Sequence, residues 1–287
     1  MSTYQFIIKE GETYLVTGAS GFLGQVLVER LIKAGAKVRC LARNEGNILK
    51  LNQEHPVEIY PGDVSDPVDV CQAMKGVRGV FHLAAFKHVG LAEKFARECV
   101  KSNTLGSLNI LEATLHTPVD FVLGISTDKA ARISGVYGAS KFLMERLFAQ
   151  FEQINPSVAY RIVRYGNVMY STGSVMCKWK KLMEDGEPCI ITEPEATRFY
   201  WTVDDAIKLI FDCLENATDS TPYCPEMKAM KIGDLFQAMS EVYYTEPVEP
   251  KIIGLQPGEN LHEIVMEGSP DSGDAEKFTI EEIKKMI

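Results

Sequence analysis

Between residues 127 and 141 the chain sets five side chains able to do polar chemistry: Thr127, Asp128, Lys129, Tyr137 and Lys141. Tyr137 and Lys141 stand four apart, so on a helix they share one face about one turn from each other. A lysine placed there puts positive charge beside the phenol and lowers its pKa from the ordinary ~10. That makes a tyrosine a usable general base. Taken alone, a Tyr-Lys pair at this spacing is more often a surface feature, so its weight depends on what surrounds it.

The elements that must position these groups are legible in the hydrophobic pattern. An apolar run at 121–126 reads as a strand ending just before Thr127, and an amphipathic helix reaches about residue 153. Near the start, a strand at 13–16 runs into Gly18, Ser20, Gly21, Phe22, Leu23 and Gly24. A helical pattern of Val26, Leu27, Leu31 and Ile32 follows, ending at Gly35, and a second strand spans 37–41. Strand, glycines, helix and strand in that order let backbone N–H groups approach a dinucleotide pyrophosphate at the helix N-terminus. The second strand ends at Arg43, where an acid would suit a ribose 2′-hydroxyl and a cation suits a 2′-phosphate. The expected cofactor is therefore NADP.

The alternation continues through strands at 57–60, 77–83 and 158–164, with a long helix expected over 92–115. Asp63 and Val64 follow the first of these, placed for the adenine. The small Ala84 and Ala85, with Lys87, follow the second, and Tyr165 closes the third. Motifs at strand C-termini are what an α/β fold with a doubly wound parallel sheet produces at its ligand edge. The expected division is a Rossmann-like domain at 1–166 and a smaller lobe at 167–287 that covers the cofactor edge and selects substrate.

Composition narrows the class. The 287 residues are 46% hydrophobic and 24% charged, with a net charge of −9, which argues against a nucleic-acid surface. Seven cysteines without C-x-x-C spacing read as reduced thiols, and no apolar run approaches the ~18 residues of a membrane span. The expectation is a cytoplasmic protein with no membrane span. His82, His88 and His262 lack metal-ligand spacing and read as structural.

Several motifs in order carry a resemblance. They are Phe86-Lys87-His88-Val89, Ser126-Thr127-Asp128-Lys129-Ala130, Tyr137-Gly138-Ala139-Ser140-Lys141, Val163-Arg164-Tyr165-Gly166-Asn167-Val168, Gly173-Ser174-Val175, Thr197-Arg198-Phe199 and Pro257-Gly258-Glu259 with Leu261-His262-Glu263. The chain resembles the nucleotide-sugar 4,6-dehydratases acting on UDP-N-acetylglucosamine, within the extended short-chain dehydrogenase/reductases. The resemblance implies a hydro-lyase of polysaccharide biosynthesis with a UDP-sugar substrate. Tyr137, helped by Thr127, would be base at O4, with Lys141 on the cofactor ribose. Lys129, held neutral near other cations, would take the C5 proton, and protonated Asp128 would release the C6 hydroxyl as water. Economy of groups favours retention at C5. Lys87, Asn167, Ser174, Arg198, Gln256 and Glu259 would contact the substrate, Arg198 through the diphosphate. Where the family carries Arg-Pro-Gly-Glu-Lys, this chain has Gln256-Pro257-Gly258-Glu259-Asn260, two cations fewer. Relatives pair through the long helices after Leu91 and Tyr137, which implies a homo-oligomer. The alternatives are an epimerase or reductase of the same class, which needs neither Asp128 nor Lys129, and a non-catalytic NADP-binding regulator.

Overall fold

Strands buried on both faces must be covered on both sides, and helices do this here from the first element. The computed structural model describes residues 8–244, 246, 249–256 and 259–287. β1 (Thr13–Thr17), α1 (Phe22–Lys33), β2 (Lys37–Ala42), α2 (Glu45–Glu54), β3 (Glu58–Pro61), α3 (Pro67–Met74) and β4 (Gly79–His82) alternate without interruption. The caps explain the boundaries. Asn44 accepts the Asn47 N–H to start α2, and Asp66 accepts from Val68 and Asp69 to start α3, with Pro67 as first helical residue. Gly35 ends α1 at φ +86°, as its position in the pattern predicts.

Next come α4 (Val89–Lys94), α5 (Ala96–Val100), a π turn (Lys101–Leu105) and α6 (Gly106–Ala113). The single helix expected over 92–115 is thus broken, at Phe95 (φ −123°, ψ 50°) and again at the π turn. The π turn presents Asn103 inward, where its amide donates to the Phe86 carbonyl (3.0 Å) and Ser140 Oγ (2.9 Å) and accepts the Phe86 N–H (2.6 Å). β5 (Phe121–Thr127), a 3-10 turn (Asp128–Ala130), α7 (Val136–Ile154) and β6 (Ala159–Tyr165) complete the layer.

The six strands lie parallel in the order β3-β2-β1-β4-β5-β6, so the winding reverses between β1 and β4. This is the expected doubly wound, Rossmann-like sheet, and its switch point is where such sheets hold ligands. One face buries Leu27, Val28 and Leu31 of α1, and the other buries Val70 and Met74 of α3 with Met144 and Phe148 of α7.

Beyond residue 166 the elements are short: β7 (Asn167–Val168), α8 (Val175–Glu184), β8 (Ile190–Ile191), β9 (Thr197–Trp201), α9 (Val203–Asn216), β10 (Ala229–Lys231), α10 (Ile232–Tyr243), β11 (Lys251–Ile252) and α11 (Ile280–Lys284). β10, β9 and β7 form a small mixed sheet, and β8 pairs with β11. Met176, Trp179, Met183, Leu235 and Met239 make a separate core for this lobe. α9 does not join it. Ala206, Ile207, Ile210 and Phe211 pack instead in the core that holds α1, β1 and β4, so the chain returns one helix across the expected boundary.

Candidate active site

The C-terminal ends of the large sheet open into a cleft of about 780 Å³. Gly18, Ser20, Gly21, Phe22, Leu23 and Gly24 line it after β1. Gly18 sits at φ +68°, and a Cβ there would lie 2.8 Å from the Ala84 nitrogen, so the loop is pressed against the end of β4. No side chain caps the start of α1, which leaves its first N–H groups facing the cleft, as a pyrophosphate requires. Arg43 is exposed at the rim, while Asp63, Val64, Ala84, Ala85, Lys87 and Tyr165 also line the cleft. Asp63 Oδ1 accepts the Ser65 N–H at 2.9 Å, and the Tyr165 hydroxyl donates to the Ala206 carbonyl at 2.5 Å, away from the opening.

The five groups of residues 127–141 converge on this cleft. β5 ends at Thr127, whose Oγ1 donates to Asp128 Oδ1 at 2.8 Å. The 3-10 turn then carries Asp128 and Lys129 under the start of α7. Contact is close because residue 138 is glycine: a Cβ there would fall 2.2 Å from the Lys129 carbonyl oxygen. Lys129 Nζ donates to both oxygens of Asp128, at 3.0 and 2.9 Å, and lies 3.4 Å from Glu263 Oε1. Asp128 is 1% exposed.

Lys129 and Tyr137 differ from the expectation. Burial lowers Lys129, but the carboxylates of Asp128 and Glu263 more than restore it, and its pKa ends above the ordinary lysine value. Lys129 therefore rests as an ammonium, not as the expected neutral amine. Burial pushes the Tyr137 phenol up to about 12, opposed by its hydrogen bond with Thr127, with Asp128 raising it further. Lys141 does not offset this, and its Nζ donates to the Ile125 carbonyl at 2.7 Å. Burial draws Lys141 itself down to about 8, against the pull of Glu145.

Of the expected substrate residues, Lys87, Asn167 and Ser174 line the cleft. Lys87 Nζ donates to the Thr172 carbonyl at 3.0 Å, burial lowers its pKa, and Ser174 caps α8. Arg198 is placed otherwise. It is 8% exposed and turned inward, donating to the carbonyls of Thr197 (2.8 Å) and Leu261 (3.1 Å). Gln256 and Glu259 close a turn on each other, the Gln256 N–H donating to Glu259 Oε2 at 3.0 Å, and neither lines the cleft. The adjoining Pro257 and Gly258 lie outside the described residues.

Two buried carboxylates were not singled out by the sequence reading. Glu263 belongs to the Leu-His-Glu stretch, the one signal that could have marked it. Glu145 receives a bidentate pair from Arg164 (2.9 and 2.6 Å) and the Ser126 hydroxyl (2.5 Å), locking β5, α7 and β6 together below the site. Glu145 sits four residues after Lys141, a spacing that also fits a solvated helix pair. Among the described residues no cluster of His, Cys, Asp or Glu could hold a metal ion, and no helix is long and apolar enough to cross a membrane.

Known proteins share this arrangement over most of the chain. Residues 14–284 match the family described as polysaccharide biosynthesis protein. A Campylobacter jejuni protein named UDP-N-acetylglucosamine 4,6-dehydratase (inverting) is 32% identical over 91% of this chain and 79% of its own. A Rickettsia rickettsii protein named UDP-glucose 4-epimerase is 31% identical over 88% and 76%. Among solved structures, Pen from Bacillus thuringiensis superposes with a TM-score of 0.91 at 25% identity, covering 97% of both chains. The chain belongs to the polysaccharide biosynthesis protein family, as an enzyme of the nucleotide-sugar dehydratase and epimerase class within the extended short-chain dehydrogenase/reductases.

Proposed function

We propose that the chain is a UDP-N-acetylglucosamine 4,6-dehydratase. The observation that carries the reading is the Asp128–Lys129 pair, held at 2.9 Å beside Tyr137 at the ligand edge of the sheet. An epimerase needs a base at O4 and no acid–base pair at C5 and C6, whereas elimination of water needs both members. The neutral amine and the carboxylic acid that start elimination are reached from an ammonium–carboxylate pair by one proton moved along the Lys129–Asp128 hydrogen bond. When Lys129 then takes the C5 proton and Asp128 gives its proton to the leaving C6 hydroxyl, the pair ends as ammonium and carboxylate again. The protein's net protonation is unchanged by the elimination.

NADP, when bound, supplies a hydride acceptor for C4 oxidation and a hydride donor to C6. The glycine loop and the open start of α1 would hold its pyrophosphate, and Arg43 its 2′-phosphate. Tyr137 would take the O4 proton as its phenolate, a form that the Lys141 charge and the oxidised cofactor would favour, with Thr127 as its hydrogen-bond partner. Lys141, ~one helical turn on, would carry its charge to the ribose on leaving the Ile125 carbonyl. Lys87, Asn167 and Ser174 would face the sugar nucleotide. With Lys129 the single amine at C5, return of the proton to the face it left favours retention. The name of the Campylobacter relative states inversion, and proton NMR of the product separates the two.

Incubation with UDP-N-acetylglucosamine and mass spectrometry gives a product lighter by one water. A product of unchanged mass inverted at C4 would make the chain an epimerase instead. Lys129→Ala abolishes incorporation of solvent deuterium at C5 while NADP binding, followed by fluorescence, persists. We also propose a homo-oligomer built on α4 and α7, where Leu91 (45%) of α4, Phe95 (54%) just after it and Leu143 (47%) of α7 are exposed.

A further inference from the structure

We infer that Glu263 is a positioning residue for the acid–base pair, a carboxylate from the C-terminal lobe that holds the Lys129 ammonium between two buried acids. Glu263 is 1% exposed, and its Oε1 lies 3.4 Å from Lys129 Nζ and 3.9 Å from Arg198 Nε. Its Oε2 accepts the Asn260 amide at 3.3 Å. The residue sits on irregular chain, yet its backbone is clamped. Its N–H donates to Ser272 Oγ and its carbonyl accepts the Ser272 N–H, both at 2.8 Å, while Ser272 Oγ reaches the Thr197 carbonyl at 3.0 Å. A buried carboxylate fixed this firmly is costly without cations, and among the described residues Lys129 and Arg198 are the two within 4 Å.

The four charges sum to zero, and they still do when a proton passes from Lys129 to Asp128. Arg198 thus acts in the interior, as the second cation beside Glu263, and not on a diphosphate. The groups facing Lys129 are Asp128 on its own turn, Tyr137 on α7, Tyr200 on β9, and Glu263 with Arg198 from the C-terminal lobe. Of these, Asp128 and Glu263 hold the ammonium in its charged form, and Glu263 does so from the second lobe.

The inference rests on Lys129 as the C5 base, and its test is arranged so that the two can fail separately. The ligand-free protein is labelled with trace acetic anhydride at pH 8, and acylation of Lys129, Lys87 and Lys141 is read by peptide mass spectrometry. Only a neutral amine reacts. Removing the charge in Glu263→Gln speeds acylation of Lys129 by about 10-fold, one pKa unit, and leaves Lys87 and Lys141 at wild-type rates. Glu263→Asp, which keeps the charge on a shorter arm, gives an intermediate rate, and it carries the test alone should the Gln variant not fold. General loosening of the cleft would speed all three lysines. That result, or an unchanged Lys129 in the folded variants, overturns the inference. In turnover, Glu263→Gln lowers kcat for deuterium incorporation at C5 about 10-fold with KM within twofold, and Glu263→Asp recovers part of it. Should wild-type protein release no water from any sugar nucleotide, the dehydratase reading falls, while the labelling result still decides the place of Glu263.

Discussion

Burial and charge pull against each other at Lys141, and the balance has a sign that can be measured. Its folded pKa, lowered to about 8, lies below the ~10.4 of an unfolded lysine. The folded state therefore binds fewer protons between those values, and stability rises with pH across that window, the full cost standing below pH 8. Lys141→Met removes the cost. Thermal unfolding at pH 7 should show stabilisation by about 1 kcal/mol, and the rise between pH 8 and 10 should flatten, while turnover falls by ~100-fold or more. A lower melting temperature in the variant would contradict this account. At this scale the Tyr137/Lys141 spacing, the glycine loop and Arg43 were readable, because each depends on local chain geometry. The charge on Lys129 was not, because Glu263, which only tertiary folding brings near, joins Asp128 in setting it.

At the scale of elements, the acid–base turn is located by its fit against α7 more than by its own hydrogen bonds. Gly138→Ala drives a methyl into the Lys129 carbonyl, which would sit 2.2 Å away, so α7 and the turn must part. The expected loss is ~1–3 kcal/mol of stability in denaturant melts, together with a drop in turnover beyond what that loss explains. Gly76→Ala is the control: its φ of +70° is strained for alanine, but nothing lies within 4 Å, so activity per folded molecule should hold. The strand–helix rhythm of the large sheet follows from periodicity, which is why its order and edges were legible. The break in the helix over 92–115 depends on Asn103 finding Phe86 and Ser140, partners that no local pattern announces. Arg198 shows the same limit. Its residue type suits a diphosphate, but its strand position turns it toward Leu261 and Glu263.

At the scale of the whole molecule, apolar side chains stand in water on helices next to the site. If α4 and α7 pair with a second copy, Phe95→Glu should convert an oligomer to a monomer in light scattering after size exclusion. A wild-type protein already monomeric at micromolar concentration would dispose of the idea. The path of α9 bears on how such enzymes could be recombined. Tyr165 of β6 donates to the Ala206 carbonyl of α9, Cys213 of α9 donates to the Ile162 carbonyl of β6, and Phe211 packs edge-on against Phe81 in the middle of the large sheet. Residues 1–166 made alone would leave that apolar face bare and should collect in the insoluble fraction. A chimera cut once at residue 167 would exchange part of the nucleotide layer's interior along with the specificity it sought to transplant. The transferable unit needs further joints, on either side of 203–216, so that the host keeps its own α9.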